Sequence, residues 1–159
     1  MTTHASTLPI LKAVYQRLQE SLPSVEEIPG IMWSISLEPL PPAIYARAPP
    51  GSNSFGLSDR KPQQALVVTL LSATWSHESD DARVEQAARA LFDAIESDAK
   101  RLDAYDPFVY LNYAATWQEP IASYGPEAVD MLRQVRDRVD PKGVFTKQVP
   151  GPAGFKIPM

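Results

Sequence analysis

Two tyrosines and an asparagine within four residues form the densest group of potentially reactive side chains in this sequence. Tyr110, Asn112 and Tyr113 lie in a stretch, Phe108 to Tyr113, that is predicted to be extended. Alternate side chains of an extended segment share a face, so Tyr110 and Asn112 are predicted on one face and Tyr113 on the other. A buried phenol or carboxamide needs a hydrogen-bond partner. The residues by themselves fit either a polar binding site or a strand end with satisfied tyrosines.

Glu38 is a second candidate for acid–base chemistry. It follows a predicted strand, Ile31 to Leu37, on the same face as Ser34 and Ser36. A carboxyl group serves as an acid or base near neutral pH only where burial favours its neutral form. An exposed carboxylate at a strand end is the simpler interpretation, and a catalytic role is the alternative.

Other kinds of chemistry are disfavoured by the residues that the sequence lacks. It contains no cysteine, which excludes disulfides, thiol nucleophiles and thiolate metal ligands. His4 and His77 lie in separate polar stretches, and no metal site is predicted from them. The segment from Gly51 to Gly56 has the spacing G-x-x-S-x-G instead of the nucleophile elbow G-x-S-x-G, and no suitable histidine accompanies it. A hydrolase is therefore not predicted.

Composition and charge narrow the class of protein further. The 159 residues are 44% hydrophobic and 21% charged, with a formal net charge of −4, which is typical of a folded protein without a basic surface for nucleic acid. The N-terminus lacks the pattern of a signal peptide. The longest apolar run, Ala65 to Ala73, is too short to span a membrane. We expect a single domain without nucleic-acid or membrane partners, and the localisation stays open.

Hydrophobic periodicity predicts three helices. The first begins near Pro9, and the second begins at Asp80 or Asp81. The third runs from Pro126 to Val139 and stops before Pro141, because the residue before a proline disfavours the helical conformation. The second helix is predicted to bury one continuous face, formed by Val84, Ala87, Ala88, Leu91, Phe92 and Ile95.

The predicted fold class is α+β, an antiparallel sheet flanked by helices. Its predicted strands are Ile31 to Leu37 and Leu66 to Trp75, with a third extended piece at Phe108 to Tyr113. The segment Leu66 to Trp75 is apolar on both faces and is expected to be covered on both sides. Two or three strands make a small sheet, which indicates missing strands. The long connection Pro39 to Gln64 is rich in proline, serine and glycine and is typical of a functional or disordered loop.

A series of short motifs follows in the last third of the chain. They are Tyr110-Leu111-Asn112-Tyr113, Ser123-Tyr124-Gly125, Asp140-Pro141-Lys142-Gly143-Val144-Phe145, Gln148-Val149-Pro150 and Gly154-Phe155-Lys156-Ile157. Their order and spacing resemble the C-terminal end of the fungal FAD-linked oxidoreductases, an oxygen-dependent flavoprotein family that includes berberine bridge enzyme. The resemblance extends over residues 8–157. It implies that the fold is part of the substrate domain of such enzymes.

The resemblance implies roles for particular residues. Tyr110 matches a tyrosine placed against flavin and substrate, and Asn112 matches an asparagine that touches the flavin. Tyr113 occupies a variable position beside them and is a third candidate for cofactor contact. Glu38 aligns with a Glu/Gln-Pro turn of the family and is a weaker catalytic candidate. The sequence departs from berberine-bridge-like members at Leu70, where many of them carry an acid–base Glu or Gln.

Two structural roles also follow from the resemblance and from the turn chemistry. The segment Gly51 to Gly56 resembles a loop that lines the substrate cavity of the fungal enzymes, with Phe55 in place of a leucine. A flexible surface loop is an equally good interpretation of this segment. Gly143 is expected to adopt positive φ after the third helix, and Phe145 is expected to pack the tail against the body.

The same family implies FAD as cofactor and oxidation of a small-molecule substrate, with oxygen reoxidising the flavin. Its members are some three times longer, and no glycine-rich pyrophosphate loop is visible here. The expected function is therefore that of a C-terminal part, in fungal secondary metabolism, that acts within a longer protein or beside a complementing FAD-domain chain. Alone it is expected to bind FAD weakly or not at all. The alternative is a truncated, non-catalytic relative that acts as a binding module or as a homodimer paired through its sheet edge.

Overall fold

Strands and helices alternate through the first two thirds of the chain in the computed structural model, which describes residues 1–45, 47, 49, 51–57, 64–147 and 157. Two units are distinguishable. The first consists of Met1–Pro39 and Ala65–Asp106, and the second consists of Leu40–Gln64 and Pro107–Met159. The motifs Gln148-Val149-Pro150 and Gly154-Phe155-Lys156 lie outside the described residues.

A four-stranded sheet in the order β2-β3-β1-β4 is the centre of the first unit. Strand β1 pairs antiparallel with β3, with Thr2 opposite Thr69, and antiparallel with β4, with Thr3 opposite Asp106. The predicted α+β class, an antiparallel sheet flanked by helices, is confirmed. The strands are β1 (Thr2–Ala5), β2 (Met32–Leu40), β3 (Leu66–Thr74) and β4 (Tyr105–Asp106).

The helices agree with their periodicity. All six residues of the face predicted for the second helix are buried, and the third helix has the predicted bounds. Gly143 follows it with a φ of 67°, as expected. The helices are α1 (Leu8–Val25), α2 (Pro42–Tyr45), α3 (Asp81–Arg101), α4 (Pro126–Val139) and α5 (Val144–Lys147), and short 3-10 helices form at Glu78–Asp80, Leu111–Tyr113 and Ala122–Tyr124.

Helices α1 and α3 share the hydrophobic core of the first unit with the sheet. Ile10 and Val14 of α1 pack in one cluster with Leu91, Phe92 and Ile95 of α3, and all five are at least 96% buried. At an average of about 25 cal/mol per Å² of apolar surface removed from water, such a cluster is the main stabilising contribution to this unit.

A charged pair also joins the two helices. The Arg17 guanidinium donates from Nε to Asp98 Oδ2 at 2.8 Å, and Arg101 donates to Asp98 Oδ1 at 2.9 Å. The hydrogen bond from Arg17 is the main cause that holds the pKa of the Asp98 carboxyl below its usual value, and the one from Arg101 adds to it. Asp98 is therefore a buried carboxylate with both oxygens satisfied, as the burial of a charge requires.

The central strand β1 was not among the predicted strands. Its residues Thr-Thr-His-Ala are polar in sequence, yet all four are buried in the structure. His4 is fully buried, with Nδ1 3.0 Å from the Ala5 carbonyl oxygen and Nε2 2.8 Å from Thr69 Oγ1. A carbonyl can only accept, so Nδ1 carries the hydrogen, and neutral Nε2 accepts the Thr69 hydroxyl. Desolvation by burial is the main cause that lowers the pKa of His4 below 6.5.

The lowered pKa of His4 predicts that acid destabilises the first unit. Below pH 6.5, the unfolded chain protonates this histidine while the folded chain resists protonation, so the free energy of unfolding falls as the pH drops. We expect this loss to begin near pH 6.5, before most carboxylates titrate. Urea unfolding between pH 8 and pH 5 measures it. Between pH 7 and 5.5 the loss should be smaller in His4→Gln than in wild type. It does not vanish, because burial lowers the pKa of the Met1 amine to about 5, and this group reduces stability over the same range in both proteins. Parallel slopes in both proteins contradict the prediction.

Two further expectations, for the end of β2 and for Phe145, need correction, and the described part of the connection Pro39 to Gln64 contains some regular structure. Burial along β2 does not alternate to its end, because Leu37 is 43% exposed whereas Glu38 is partly buried. The connection Pro39 to Gln64 contains helix α2, and the Tyr45 hydroxyl donates to the Gln64 carbonyl oxygen at 2.6 Å. Phe145 is 66% exposed, so the expectation that it packs the tail against the body is wrong. Asp140 instead caps α5 by accepting hydrogen bonds from the Val144 and Phe145 amides.

Candidate functional site

The segment that carries the candidate residues is a turn and not a strand. Strand β4 ends at Asp106 because Pro107 has no amide hydrogen to continue the ladder. After a short irregular stretch, the Tyr113 amide donates to the Tyr110 carbonyl oxygen at 3.0 Å and closes a 3-10 turn over Leu111–Tyr113. The expectation of an extended segment from Phe108 to Tyr113 was therefore wrong.

The turn brings the three predicted residues together. The Asn112 side-chain amide donates to the Tyr110 hydroxyl oxygen at 2.9 Å. The Tyr113 ring meets the Tyr110 ring edge to face, with ring centroids 5.0 Å apart. Tyr113 was expected on the opposite face, but side chains three residues apart share a face in a 3-10 turn. Their assignment to catalysis or to cofactor contact stays a prediction.

Five aromatic rings of the second unit form what we call the aromatic cluster: Phe55, Phe108, Tyr110, Tyr113 and Tyr124. Phe55 meets three of the others edge to face at centroid distances of 5.5 to 6.3 Å. Phe108 and Tyr124 stack at 5.6 Å with an interplanar angle of 25°. Phe108 and Tyr124 are buried, whereas Phe55 is 39% exposed. The cluster therefore has a buried base and an accessible aromatic rim.

The backbone around Tyr124 holds this cluster in place. The Ser123 hydroxyl accepts from the Val109 amide at 2.9 Å and donates to the Pro120 carbonyl oxygen at 2.6 Å, which ties the two aromatic segments together. Gly125 has a φ of 95° and precedes the first turn of α4. A Cβ atom on Gly56 would lie 2.0 Å from the Tyr124 carbonyl oxygen, so only glycine fits where the Phe55 loop approaches.

Sequence reasoning identified the rim of the cluster better than its base. Tyr110 and Tyr113 were named as candidate site residues, and Phe55 was noted in a loop that resembles a cavity lining. Tyr124 was noted only as part of a motif and Phe108 only as a strand end. Both appear in an aromatic-rich stretch of sequence, but nothing in that pattern states that they stack. Glu38, the remaining candidate, lies near the end of β2 in the other unit, and its catalytic role stays a prediction.

The first unit has a cleft of its own. It has a volume of about 470 Å³ and lies between α1 and α3, where Arg17, Arg83 and the small side chains of Ala87 and Ala90 are among its lining residues. None of the predicted site residues lines it. Within the described ranges, no group of three His, Asp or Glu side chains is arranged to hold a metal ion, and no helix there is long and apolar enough to cross a membrane.

Comparison with known proteins gives curated relatives, but no family model and no solved structure matches. The chain is 47% identical over 107 residues, 67% of its length, to the FAD-dependent monooxygenase tpcD of Cochliobolus heterostrophus. It is 39% identical over 124 residues, 77% of its length, to the FAD-dependent monooxygenase FUP4 of Fusarium proliferatum. The predicted resemblance to fungal FAD-linked oxidoreductases is confirmed.

The chain spans only 20% and 23% of the length of those two proteins. The match to the Fusarium protein covers 77% of the 159 residues. A match of that length includes residues 38–113 whichever end of the chain it starts from, and therefore all four candidate site residues. The chain is also 47% identical over 98% of its length to the oligopeptidase PhomG' of Diaporthe leptostromiformis, but it spans 13% of that protein. Most of the protein that carries the peptidase name therefore lies outside the matched region, and the name gives no information about that region.

Proposed function

We propose that this chain forms the substrate-side part of an FAD-linked oxidoreductase that oxidises a small molecule in fungal secondary metabolism. The observation that carries the proposal is the Tyr110–Asn112 pair within the aromatic cluster. It offers a phenol, a carboxamide and several ring faces in one place. The matches to proteins named FAD-dependent monooxygenases support it from an independent direction.

The residues fit one part of FAD and not another. Ring faces and polar donors suit a flat heterocycle whose ring gains negative charge on reduction. The seven glycines are scattered, and none has the G-x-G-x-x-G spacing that brings backbone amides to a pyrophosphate. We therefore assign the flavin ring and the substrate to this chain's surface, and the pyrophosphate to a complementing FAD domain in the same or another polypeptide.

Within that division, each residue has a chemical task. The flavin, when bound, supplies the acceptor for the hydride that leaves the substrate. Tyr110 removes or holds the proton of the substrate hydroxyl, because a phenol can exchange a proton and is placed at the rim. Asn112 fixes the Tyr110 oxygen by donating to it at 2.9 Å. Glu38 is the second candidate for the proton transfer, and Tyr113 is a further ring contact.

The division between ring and pyrophosphate predicts weak FAD binding by the chain alone. We expect no saturation of FAD fluorescence quenching at micromolar concentrations of the 159-residue chain, because the phosphate-binding backbone is missing. Titration of FAD with the purified chain measures this, with riboflavin, which lacks the pyrophosphate, as the matched comparison. The two ligands should bind with similar weak affinity. Tight, stoichiometric binding of FAD contradicts the division.

A hybrid enzyme tests the proposed function itself. In it, this chain replaces the matching segment of the Fusarium proliferatum protein, and the product is assayed for bound flavin and for flavin reduction by substrate. The expected result is a flavin-loaded hybrid that is reduced by the substrate of its parent or by a close analogue. A hybrid that folds and loads flavin but is never reduced, while the parent protein is, contradicts the proposal.

A non-catalytic dimerisation module is the second candidate function. Strand β2 is at one end of the strand order, and its residues Met32 and Leu37 are 64% and 43% exposed. Exposed apolar residues on an edge strand favour pairing with another copy. Light scattering of the chain separates the candidates: a stable dimer that Leu37→Lys converts to a monomer favours the module, and a monomer favours the oxidoreductase part.

A further inference from the structure

The Tyr124 hydroxyl is a polar group without a partner in the base of the aromatic cluster. Tyr124 is 95% buried, and its hydroxyl oxygen has no hydrogen bond within the described residues. Burial is the main cause that raises the pKa of the Tyr124 phenol, and the nearby Leu111 backbone N–H lowers it in part. An N–H group can only donate, so the hydrogen of the hydroxyl still lacks an acceptor in the part of the chain that the structure describes. Buried polar groups in native proteins nearly always have partners, so an unpaired one needs an explanation.

The surroundings of Tyr124 show that its position is fixed. Its ring stacks on Phe108, its neighbour Ser123 is held by two hydrogen bonds, and its carbonyl oxygen abuts Gly56. Burying an unpaired hydroxyl costs about 1–3 kcal/mol. A phenylalanine would make the same ring stack without that cost, so the packing alone does not account for the tyrosine.

We propose that the Tyr124 hydroxyl donates a hydrogen bond to a carbonyl-type acceptor on a planar ring that enters the aromatic cluster. This ligand is either the flavin ring or an aromatic substrate, so the inference rests on the proposed function for the name of the ligand. It adds Tyr124 as a binding residue beside Tyr110 and Asn112. The motif Ser123-Tyr124-Gly125 thereby gains a role: the serine and glycine set the backbone, and the tyrosine presents the donor.

Access to the hydroxyl requires one ring of the cluster to move. Phe55 is suited to this, because its ring is 39% exposed and can rotate about its side-chain bonds while Gly56 stays against the Tyr124 carbonyl oxygen. Its contacts with Tyr110 and Tyr124 are edge to face, at 6.1 and 5.5 Å between centroids. A flat ligand that takes the place of the Phe55 ring keeps edge-to-face contacts with Tyr110 and Tyr124. From that position it reaches the buried Tyr124 hydroxyl.

The test compares Tyr124→Phe with wild type in the full chain. Two probes are titrated by fluorescence with protein up to millimolar concentration, because the chain alone is expected to bind a flavin ring weakly. They are lumiflavin, which is the flavin ring without its phosphates, and coumarin, a planar bicycle with a ring carbonyl. We expect at least one probe to bind wild type, and Tyr124→Phe to bind that probe roughly three- to tenfold more weakly, the loss typical of one hydrogen bond. Weakening of lumiflavin alone identifies the flavin ring as the ligand, and weakening of coumarin alone identifies the substrate.

The control is Tyr15→Phe, which removes a hydroxyl from an exposed tyrosine on α1 and should change neither binding nor melting. Tyr124→Phe should melt at or above the wild-type temperature, since it removes an unsatisfied buried group. The proposal is overturned if neither probe binds wild type, if Tyr124→Phe binds both probes unchanged, or if it melts several degrees lower. If the hybrid enzyme is not reduced while the probe results are as expected, the proposed function is rejected. The role of the Tyr124 hydroxyl as a hydrogen-bond donor to the ligand then still stands.

Discussion

Replacing Gly56 with alanine is expected to cause a large loss of stability in the second unit. The new Cβ would lie 2.0 Å from the Tyr124 carbonyl oxygen, and Gly56 has a φ of 65°. The obstacle is backbone and cannot rotate away. We expect the free energy of unfolding to fall by about 3 kcal/mol or more, from the left-handed conformation and the overlap together. Urea unfolding of the full chain, followed by near-UV circular dichroism of the tyrosines, measures the loss.

Gly51→Ala is the matched control for this overlap. Gly51 has a φ of 70°, close to that of Gly56, but a Cβ there would meet nothing within 4 Å. Only the conformational cost remains, about 1–2 kcal/mol. If the two variants lose equal stability, the loop is not held against Tyr124, and the description of the aromatic cluster as a fixed site is wrong.

Elements with a full amphipathic period could be predicted from the sequence. Helix α3 buries Val84, Leu91, Ile95 and their neighbours because this spacing leaves only one way to cover the apolar stripe. Helix α4 ends before Pro141 because the residue that precedes a proline disfavours the helical conformation. In both, the information lies within one segment, so no knowledge of the rest of the chain is needed.

Strand β1 and the turn at Tyr110 depend on contacts that no local pattern encodes. Thr2 and His4 are polar, and they are buried because strands on both sides supply their backbone hydrogen bonds and Thr69 supplies a side-chain partner. Phe108 to Tyr113 has the composition of a strand. It turns instead because Pro107 ends the ladder, after which the rings pack against Phe55 and Tyr124, which are distant in sequence.

The candidate site was therefore predicted in its residue types and not in its geometry. Tyr110 and Asn112 were expected to share a face of a strand, and they are joined instead by a hydrogen bond across a 3-10 turn. The Tyr124 hydroxyl could not have been singled out, because an unsatisfied group is recognised only when every possible partner has been placed. Ring stacking and the close approach of Gly56 are likewise properties of the folded chain.

Tyr110→Phe is expected to have the largest effect on activity. In the hybrid with the Fusarium proliferatum protein, it should lower kcat about 100-fold, the lower limit for removal of a general acid or base. The KM should change little, because the ring remains for contact with Phe55 and Tyr113. The melting temperature should stay within a few degrees, because the lost hydrogen bond from Asn112 is exposed and contributes little to stability. Stopped-flow measurement of flavin reduction isolates the affected step.

Tyr113→Phe is the control for this prediction, because it removes a phenol from the neighbouring ring, 5.0 Å away, and leaves Tyr110 intact. If Tyr110 transfers the proton, flavin reduction in Tyr113→Phe stays within a few-fold of the parent hybrid, and the pH dependence of reduction changes only in Tyr110→Phe. Equal losses in both variants indicate that the tyrosines position the ligand together. An unchanged rate in Tyr110→Phe moves the acid–base role to Glu38, where Glu38→Gln then tests it with the same measurement.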